Sequence, residues 1–232
     1  MRCLKCSSEA IVKNGHMKGL QRYKCKQCAY QFTQETPRGK PMKDKILAII
    51  LYLSGLSMNM IAQIVGVSTQ SVMRWIKLFY AKYAEIPTPD GNIQEIEIDE
   101  MHHYIGKKKH LLWIWKIIDH HSKQLIGWKC GDRSSQTLNA LCEEHDVLSK
   151  QRVYTDNYSC YADIIGARSL RQGKRNTYKI EQNNAQQRHW LGRFRRRTQI
   201  VSKSIEMIHA SLALFARFRV NGNISELISL LR

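Results

Sequence analysis

The chain has 232 residues, of which 43% are apolar, enough to form one or two compact domains. Lysine and arginine number 37 against 19 aspartates and glutamates, so the formal net charge is +18. A charge of this size favours a polyanionic partner, nucleic acid ahead of a membrane surface. The longest apolar run, at 46–53, has eight residues where a spanning helix needs about 20, which argues against a membrane protein.

The amino terminus and the cysteines both indicate an intracellular protein. Met1 is followed directly by Arg2 and Cys3 without an apolar signal segment, so we expect no secretion. Seven cysteines at uneven spacing then favour metal binding over disulfides.

The charge divides the chain into three parts. Residues 1–92 carry a net charge of +9, residues 93–170 of −1 and residues 171–232 of +10. This charge distribution fits an acidic catalytic centre between two phosphate-binding surfaces. It also fits an ordinary soluble domain between two basic ends. Residues 86–92 are predicted to be a linker, because two prolines and an Asp-Gly pair break both helix and strand.

Two CxxC pairs lie in the first 40 residues and are separated by 18 residues. They are Cys3 with Cys6 and Cys25 with Cys28. Four thiolates can close a tetrahedral structural site around one Zn²⁺, and the turns and short strands between the pairs are typical of a zinc ribbon at 1–40. Four free thiols are the alternative, while a redox pair lacks the expected strand–helix context. With few apolar side chains, this module needs the metal to fold.

Residues 41–85 are predicted to form three helices. Apolar residues at helical spacing define a first helix over 46–53 that ends near Ser54 and Gly55. Ser57 is expected to cap a second helix that Gly66 ends, and Ser68 to cap a third. The second helix carries Met60, Ile61, Ile64 and Val65, and the third has Val72, Trp75, Ile76 and Phe79 inward.

The second and third helices have the spacing of a helix-turn-helix motif. Ala62, Gly66 and Val72 stand where such motifs place a small residue, the turn glycine and a buried branched residue. The outward residues of the third helix, suited to phosphates and base edges, are Thr69, Gln70, Arg74 and Lys77. A helical bundle for protein contacts is the alternative, and the net charge favours DNA.

Residues 93–232 alternate between strand and helix patterns. Strands are predicted over 93–99, 111–118, 123–129, 152–156 and 177–180, and helices over 135–145, 157–165 and from 181 to about 195. Three hairpin strands followed by alternating helix and strand is the order of the ribonuclease H fold. Its first and fourth strands lie side by side, which would bring Asp99 and Asp156 together. The predicted fold class is thus multidomain α+β: zinc ribbon, three-helix domain, then a ribonuclease H-like mixed sheet.

Two carboxylates at adjacent strand ends suit metal-dependent phosphodiester chemistry. Together with Glu181 at the start of a helix, Asp99 and Asp156 could hold two divalent cations about 3.5–4 Å apart. Hard oxygen ligands favour Mg²⁺ or Mn²⁺. The competing acidic side chains are Glu97, Glu100, Asp119, Glu143 and Glu144.

Short motifs along nearly the whole chain resemble one family. They are QRYKC (21–25), DEM (99–101), GKKK (106–109), GDRS (131–134), YTDN (154–157), IEQNN (180–184), RRRT (195–198) and VSKS (201–204). On these motifs the chain resembles transposases of the insertion-sequence-one type, DDE recombinases of prokaryotic mobile elements. Position by position, the resemblance implies that Asp99, Asp156 and Glu181 are the metal carboxylates. It also implies that Asn184 and Arg188 lie near the substrate phosphate.

A cluster of basic residues follows Glu181. Its members are Arg188, Arg193, Arg195, Arg196 and Arg197. On a continuous helix Arg193 and Arg197 would share the face of Glu181, so we expect phosphate contacts there. The alternative is a solvated helix face. Apolar residues at helical spacing further on, Ile205, Ile208, Leu212 and Phe215, are expected to close the core.

The resemblance implies an enzyme that binds the terminal inverted repeats of an insertion sequence, cleaves DNA ends and joins the 3′ hydroxyls to target DNA. Its partners would be double-stranded DNA and at least a second copy of the chain, in the cytoplasm at the nucleoid, with no membrane. Its cofactors would be two Mg²⁺ or Mn²⁺ and one structural Zn²⁺. The alternatives are a zinc-ribbon and helix-turn-helix transcription regulator whose third domain only oligomerises, and a structure-selective nuclease.

Overall fold

The computed structural model describes residues 1–17, 19–33, 39–83, 85 and 93–231. The predicted linker at 86–92 lies outside these described residues. By its internal contacts the chain divides into two compact units, Met1–Met42 and Lys43–Arg232. None of the described helices is long and apolar enough to cross a membrane.

The first unit is a small antiparallel sheet. Its strands are β1 (Ile11–Met17), β2 (Leu20–Cys25) and β3 (Gln31–Thr33), in that order. Cys3, Cys25 and Phe32 are its buried core residues within the described part. Three buried side chains supply little hydrophobic free energy, as expected for a module that a metal stabilises.

Three helices follow, which apart from Met42 belong to the second unit: α1 (Met42–Tyr52), α2 (Met58–Val65) and α3 (Thr69–Lys82). The predicted caps are confirmed. Ser57 Oγ accepts from the Met60 amide and Ser68 Oγ from the Ser71 amide, and Gly66 ends α2 in the left-handed conformation at φ 67°. The four inward residues predicted for α3 are buried. On α2, however, Met60 and Ile64 are exposed while Ala62 is buried.

The remaining elements build a five-stranded mixed sheet with helices. They are β4 (Glu95–Tyr104), β5 (Leu111–Asp119), β6 (Leu125–Gly131), α4 (Ser135–Glu144), β7 (Arg152–Thr155), α5 (Cys160–Ile164), β8 (Leu170–Gln172), α6 (Tyr178–Trp190), α7 (Ile205–Phe215) and α8 (Ser225–Ser229). The strand order is β6-β5-β4-β7-β8. β4, β5 and β6 are antiparallel neighbours, whereas β7 is parallel to β4 and β8 to β7. This is the predicted ribonuclease H order, with the first and fourth strands adjacent.

The prediction of the fifth strand at 177–180 is wrong. That strand is β8, where Leu170 pairs with Val153, and residues 178–180 form the first turn of α6. The buried residues of α6, Ile180, Asn183, Asn184 and Gln187, are mostly polar. A pattern of apolar residues therefore could not reveal that the helix begins before Glu181, and four alternating residues are too few to distinguish strand from helix.

The helix that carries Glu181 also ends earlier than predicted, at Trp190 instead of about 195. Leu191 has an extended backbone. Gly192 lies so close to the turn after α1 that a Cβ on it would come within 2.4 Å of the Gly55 carbonyl oxygen. The chain therefore leaves the helix at this close approach. Arg193 and Arg197 consequently do not share a helix face with Glu181, and that prediction is wrong.

The two faces of the sheet pack against different helices. One hydrophobic cluster joins residues of α1–α3, such as Ile49 and Ile76, to Ile114 of β5 and to Leu212 and Phe215 of α7. The helices α1–α3 thus share a core with the sheet, and the division into domains at 1–40, 41–85 and 93–232 stays a prediction. The other face packs on α4 and α5. Of the core residues predicted on α7, Ile205 is exposed.

Candidate active site

Asp99 and Asp156 lie side by side on the neighbouring parallel strands β4 and β7, just beyond their last paired residues. In the β4–β7 register Glu97 stands opposite Tyr154, and each aspartate follows two residues further along its own strand direction. Asp99 lies within β4, and Asp156 directly follows the end of β7. The structure therefore brings these two predicted carboxylates together.

The pKa of Asp99 reflects this surrounding. Burial, followed by the negative charges of Glu100 and Asp156, raises it to about 7. The nearby ammonium group of Lys116 acts in the opposite direction. A carboxylate in this position is stabilised in its ionised form by any additional cation.

Glu181 lies on the helix beside Asp99, but the carboxylate oxygens of Asp99, Asp156 and Glu181 do not form one close cluster. It is exposed in the first turn of α6, which packs on β4. One turn later Asn184 Nδ2 donates a hydrogen bond of 2.7 Å to Asp99 Oδ2. Among the described residues, the four cysteines of the first unit are the only group of three or more Cys, His, Asp or Glu side chains whose ligand atoms lie close together. The Glu181 carboxylate therefore stands one helical turn before Asn184, the residue that contacts Asp99.

Glu97 shares the face of Asp99 but has a structural role. Its side chain is fully buried, and Oε2 accepts a 2.9 Å hydrogen bond from the Ile180 amide at the start of α6. His120 Nδ1 lies 2.8 Å from Oε1. Glu97 thus replaces a local N-cap and fixes the start of α6 to β4.

Glu100 projects to the opposite face of β4. It binds the Arg133 guanidinium through Nε at 2.8 Å, and the Tyr161 hydroxyl donates to it at 2.7 Å. Arg133 in turn stacks between the rings of Trp113 and Tyr158, at 4.7 and 4.2 Å. These partners account for the Glu100 carboxylate.

The other competing acids also have local partners. Asp119 accepts from the amide and hydroxyl of Ser122 in the β5–β6 turn. Glu143 accepts from Asn139 one turn earlier on α4, and Glu144 pairs with Lys129 at 2.7 Å. Asp99 and Asp156 therefore remain the adjacent carboxylates best placed for metal binding.

Arg188 lies on the side of α6 that faces Asp99. It is partly buried, and burial and the charge of Arg196 lower its pKa while Asp99 raises it. Asn184 and Arg188 thus adjoin Asp99, while their expected position near a substrate phosphate stays a prediction. Arg195, Arg196 and Arg197 are exposed, whereas Arg193 is buried and only 7% exposed.

The four cysteines of the CxxC pairs converge in the first unit. Their sulfur atoms all lie within 4.8 Å of one another, with 3.6 Å between Cys3 and Cys28 and between Cys6 and Cys25. A tetrahedral ion with bonds of about 2.3 Å holds its sulfur ligands about 3.8 Å apart. Amides of Cys28 and Gln27 lower the pKa of Cys25 to about 6. The cluster is compatible with a bound metal ion.

The predicted DNA-contacting residues of α3 differ in their environments. Thr69, Gln70 and Arg74 are exposed, and Thr69 Oγ1 donates to Asn59 Oδ1 at 2.9 Å. Lys77 instead forms a 2.6 Å ion pair with Glu206 of α7. The first three are accessible to a ligand.

The sequence of the sheet domain decides the family. A family model described as IS1 transposase matches residues 93–220, more than half of the chain. The chain belongs to the IS1 transposase family. The matched region contains Asp99, Asp156 and Glu181 and all five strands of the mixed sheet.

Two curated insertion-element proteins are similar to about half of this chain. Insertion element IS1 protein InsB of Shigella sonnei is 28% identical over 111 residues, 48% of this chain and 85% of that protein. Insertion element IS1 9 protein InsB of Escherichia coli (strain K12) has the same identity over 66% of its length.

Solved structures show a more distant likeness. The Mos1 transposase paired-end complex with left transposon end is 9% identical, with 86% of this chain and 79% of that chain covered and a TM-score of 0.38. The catalytic core domain of BIV integrase is 11% identical, with 60% and 95% covered and a TM-score of 0.36. With identities and TM-scores this low, the two solved structures do not contribute to the family assignment.

Lys116 is a site residue that the sequence predictions missed. It stands opposite Asp99 in the β4–β5 register and is fully buried. Its ammonium group donates to Asn183 Oδ1 and, at 2.9 Å, to Gln187 Oε1 of α6. Burial lowers its pKa to about 7, against the influence of Asp99. A lone lysine in the apolar strand 111–118 was the available signal.

Proposed function

We propose that the chain is a DNA transposase that binds the terminal inverted repeats of an insertion sequence, cleaves the DNA ends and joins their 3′ hydroxyls to target DNA. The observation that carries this proposal is the pairing of Asp99 and Asp156 at neighbouring parallel strands, beside the helix that bears Glu181. Membership of the IS1 transposase family supports it.

The residues present fit two hard divalent cations. Asp99 is a partly buried carboxylate, and burial, followed by the charges of Glu100 and Asp156, raises its pKa to about 7. Glu181 is exposed one turn from Asn184. We infer that Asp99, Asp156 and Glu181 would hold Mg²⁺ or Mn²⁺. When bound, such ions activate an attacking oxygen and stabilise the leaving oxygen of a phosphodiester displacement.

The chain's own residues would orient this site. Asn184 fixes the Asp99 carboxylate, Lys116 connects β5 to α6, and Glu97 holds the first turn of α6 on β4. Arg188, on the same helix, would contact the phosphate that reacts. Because three side chains connect α6 to β4 and β5, the position of Glu181 relative to the aspartates is restricted.

DNA binding would involve two basic surfaces. The helices α2 and α3 would act as a helix-turn-helix motif, with Thr69, Gln70 and Arg74 facing the DNA. The exposed cluster of Arg195, Arg196 and Arg197 would contact backbone phosphates. Lys77 is paired with Glu206 and would contribute less. We expect at least two copies of the chain in the complex that joins two DNA ends, at the nucleoid.

A strand-transfer assay tests this function. A labelled element end is incubated with the full chain and Mg²⁺, and the products are separated by size. A transposase produces labelled strands joined to target DNA. Cleaved but never joined ends would instead support the structure-selective nuclease, and end binding without cleavage the transcription regulator.

The first unit is proposed to be a zinc ribbon, and Cys25→Ser is expected to remove its zinc and unfold it. Its core has few buried side chains, so the metal supplies the free energy of folding. Elemental analysis of protein purified without chelator should find one zinc per chain in the parent. Cys130→Ser, in the second unit, is the matched control and should retain it. Equal zinc contents in parent and Cys25→Ser would contradict the site.

A further inference from the structure

A groove of about 620 Å³ in the second unit separates the amino ends of α2 and α3 from the segment 199–203. Its walls include the polar or basic residues Asn59, Gln70, Arg193 and Lys203, with Met207 among the apolar ones. No acidic residue of the described chain lines it. A groove with this lining is complementary to an anion with an apolar part.

Two helix amino ends meet at this groove. The first amides of α2 and α3 have no partner within their helices, and each helix carries a partial positive charge at this end. Neither of these described first turns contains an acidic residue. The hydrogen bond from Thr69 to Asn59 connects the two ends. Paired amino ends of this kind favour an anion.

Arg193 is an independent indication of an anion. Its side chain lines the groove and is 7% exposed, and its Nε has no hydrogen-bond partner. No carboxylate of the described residues forms an ion pair with it. The Tyr52 side chain is its neutral neighbour, with the ring 5.5 Å from the guanidinium carbon and the hydroxyl oxygen within reach of an Arg193 N–H. A buried cation is costly unless an anion pairs with it.

The titratable neighbours of Arg193 are neutral. Burial, followed by the Arg193 charge, lowers the pKa of His103 to about 4. Burial raises the pKa of Tyr52, although Arg193 opposes this. The described part of the chain therefore supplies no negative charge to the guanidinium, and an anionic ligand in the groove would supply it.

We propose that this groove binds a backbone phosphate of the DNA held by α2 and α3. The inference rests on the proposed function, which requires that the chain bind DNA. The phosphate would pair with Arg193 and the two helix amino ends, and the adjoining deoxyribose would pack on the apolar wall. Lys203 at the rim would contact the same or the next phosphate.

The test measures the affinity of the full chain for a duplex of one fixed sequence over a series of salt concentrations. Gln70→Glu places a negative charge in the groove at a helix amino end, where it favours the helix. It is expected to weaken binding about tenfold, as when one charged hydrogen bond is lost. Gln63→Glu, exposed on α2 outside the groove, is the matched control and should bind like the parent. Lys203→Ala should reduce the slope of log affinity against log salt by about 0.9.

Arg193→Met separates a ligand-binding role from a structural one. Because the guanidinium has no anionic partner in the described chain, an apolar side chain of similar length should leave the melting temperature unchanged or raise it. The same variant should bind the duplex at least about tenfold more weakly. A lower melting temperature with unchanged DNA affinity would show that Arg193 is structural and would overturn the proposal.

The remaining outcomes distinguish the groove from DNA binding in general. If the parent binds the duplex with steep salt dependence and Gln70→Glu and Lys203→Ala match it, the groove proposal fails while DNA binding stands. If the parent does not bind the duplex at low salt, the proposed function fails and the groove proposal with it. Inorganic phosphate at constant ionic strength is the third probe. Stabilisation of the parent by phosphate, without any change in DNA affinity among the variants, would indicate a free-anion site and overturn the assignment to DNA.

Discussion

Asp99→Asn and Asp156→Asn are each expected to reduce cleavage and joining of DNA ends by about 1,000-fold or more while end binding is retained. An amide cannot supply the negative charge that holds a divalent cation. Glu181→Gln is expected to have the same effect. The measurements are gel assays of cleavage and joining, with end binding measured in parallel.

The stability of these variants separates catalysis from folding. Burial and acidic neighbours disfavour the Asp99 charge, so Asp99→Asn should melt at the same temperature as the parent or higher. Glu143→Gln, exposed on α4, is the control and should be as active as the parent. Full activity in all three site variants would exclude a recombinase centre at these residues. Full activity in Glu181→Gln alone would contradict only the proposal that Glu181 is the third metal ligand.

The Mg²⁺ requirement for cleavage is expected to increase by about tenfold for each pH unit below 7. The pKa of Asp99 is raised to about 7, so below that pH a cation must displace one proton to bind. Above pH 7 Asp99 is ionised, and the requirement should change little. The measurement is the Mg²⁺ concentration for half-maximal cleavage on both sides of pH 7.

Lys116→Met is expected to raise the pH below which the Mg²⁺ requirement for cleavage begins to increase. The Lys116 ammonium lowers the pKa of Asp99, so its removal raises that pKa and extends proton competition upward. Lys129→Met on β6, whose lysine pairs with Glu144, is the matched control and should leave that pH unchanged. A Mg²⁺ requirement that is independent of pH in parent and Lys116→Met would contradict this view of Asp99.

The pairing of Asp99 with Asp156 could be predicted because it depends on local patterns. Alternating apolar residues placed both aspartates at strand ends, although β4 continues past Asp99 to Tyr104. The order of the elements then determined which strands are neighbours. Ser57, Gly66 and Ser68 were equally predictable, since helix caps depend on residues within one turn.

The residues around the aspartates depend on long-range packing and could not be predicted in the same way. Glu97 caps the helix α6 at Ile180, 83 positions later in the chain. Lys116 on β5 donates to the side-chain amide oxygen of Gln187 on α6. The end of α6 depends on the contact of Gly192 with Gly55, which no local pattern records. Arg193 was therefore expected on the helix face of Glu181 and instead lies in the interior beside Tyr52.

Counting bound Mn²⁺ on the full chain tests the central claim most directly, namely that Asp99 and Asp156 hold the catalytic cations. Electron paramagnetic resonance can report free Mn²⁺ in the presence of protein and a fixed DNA duplex, with the duplex alone subtracted. The account predicts two site-bound ions per parent chain, fewer in Asp99→Asn and Asp156→Asn, and the parental number in Glu143→Gln. Equal numbers of bound ions in the parent and in both folded aspartate variants would contradict it.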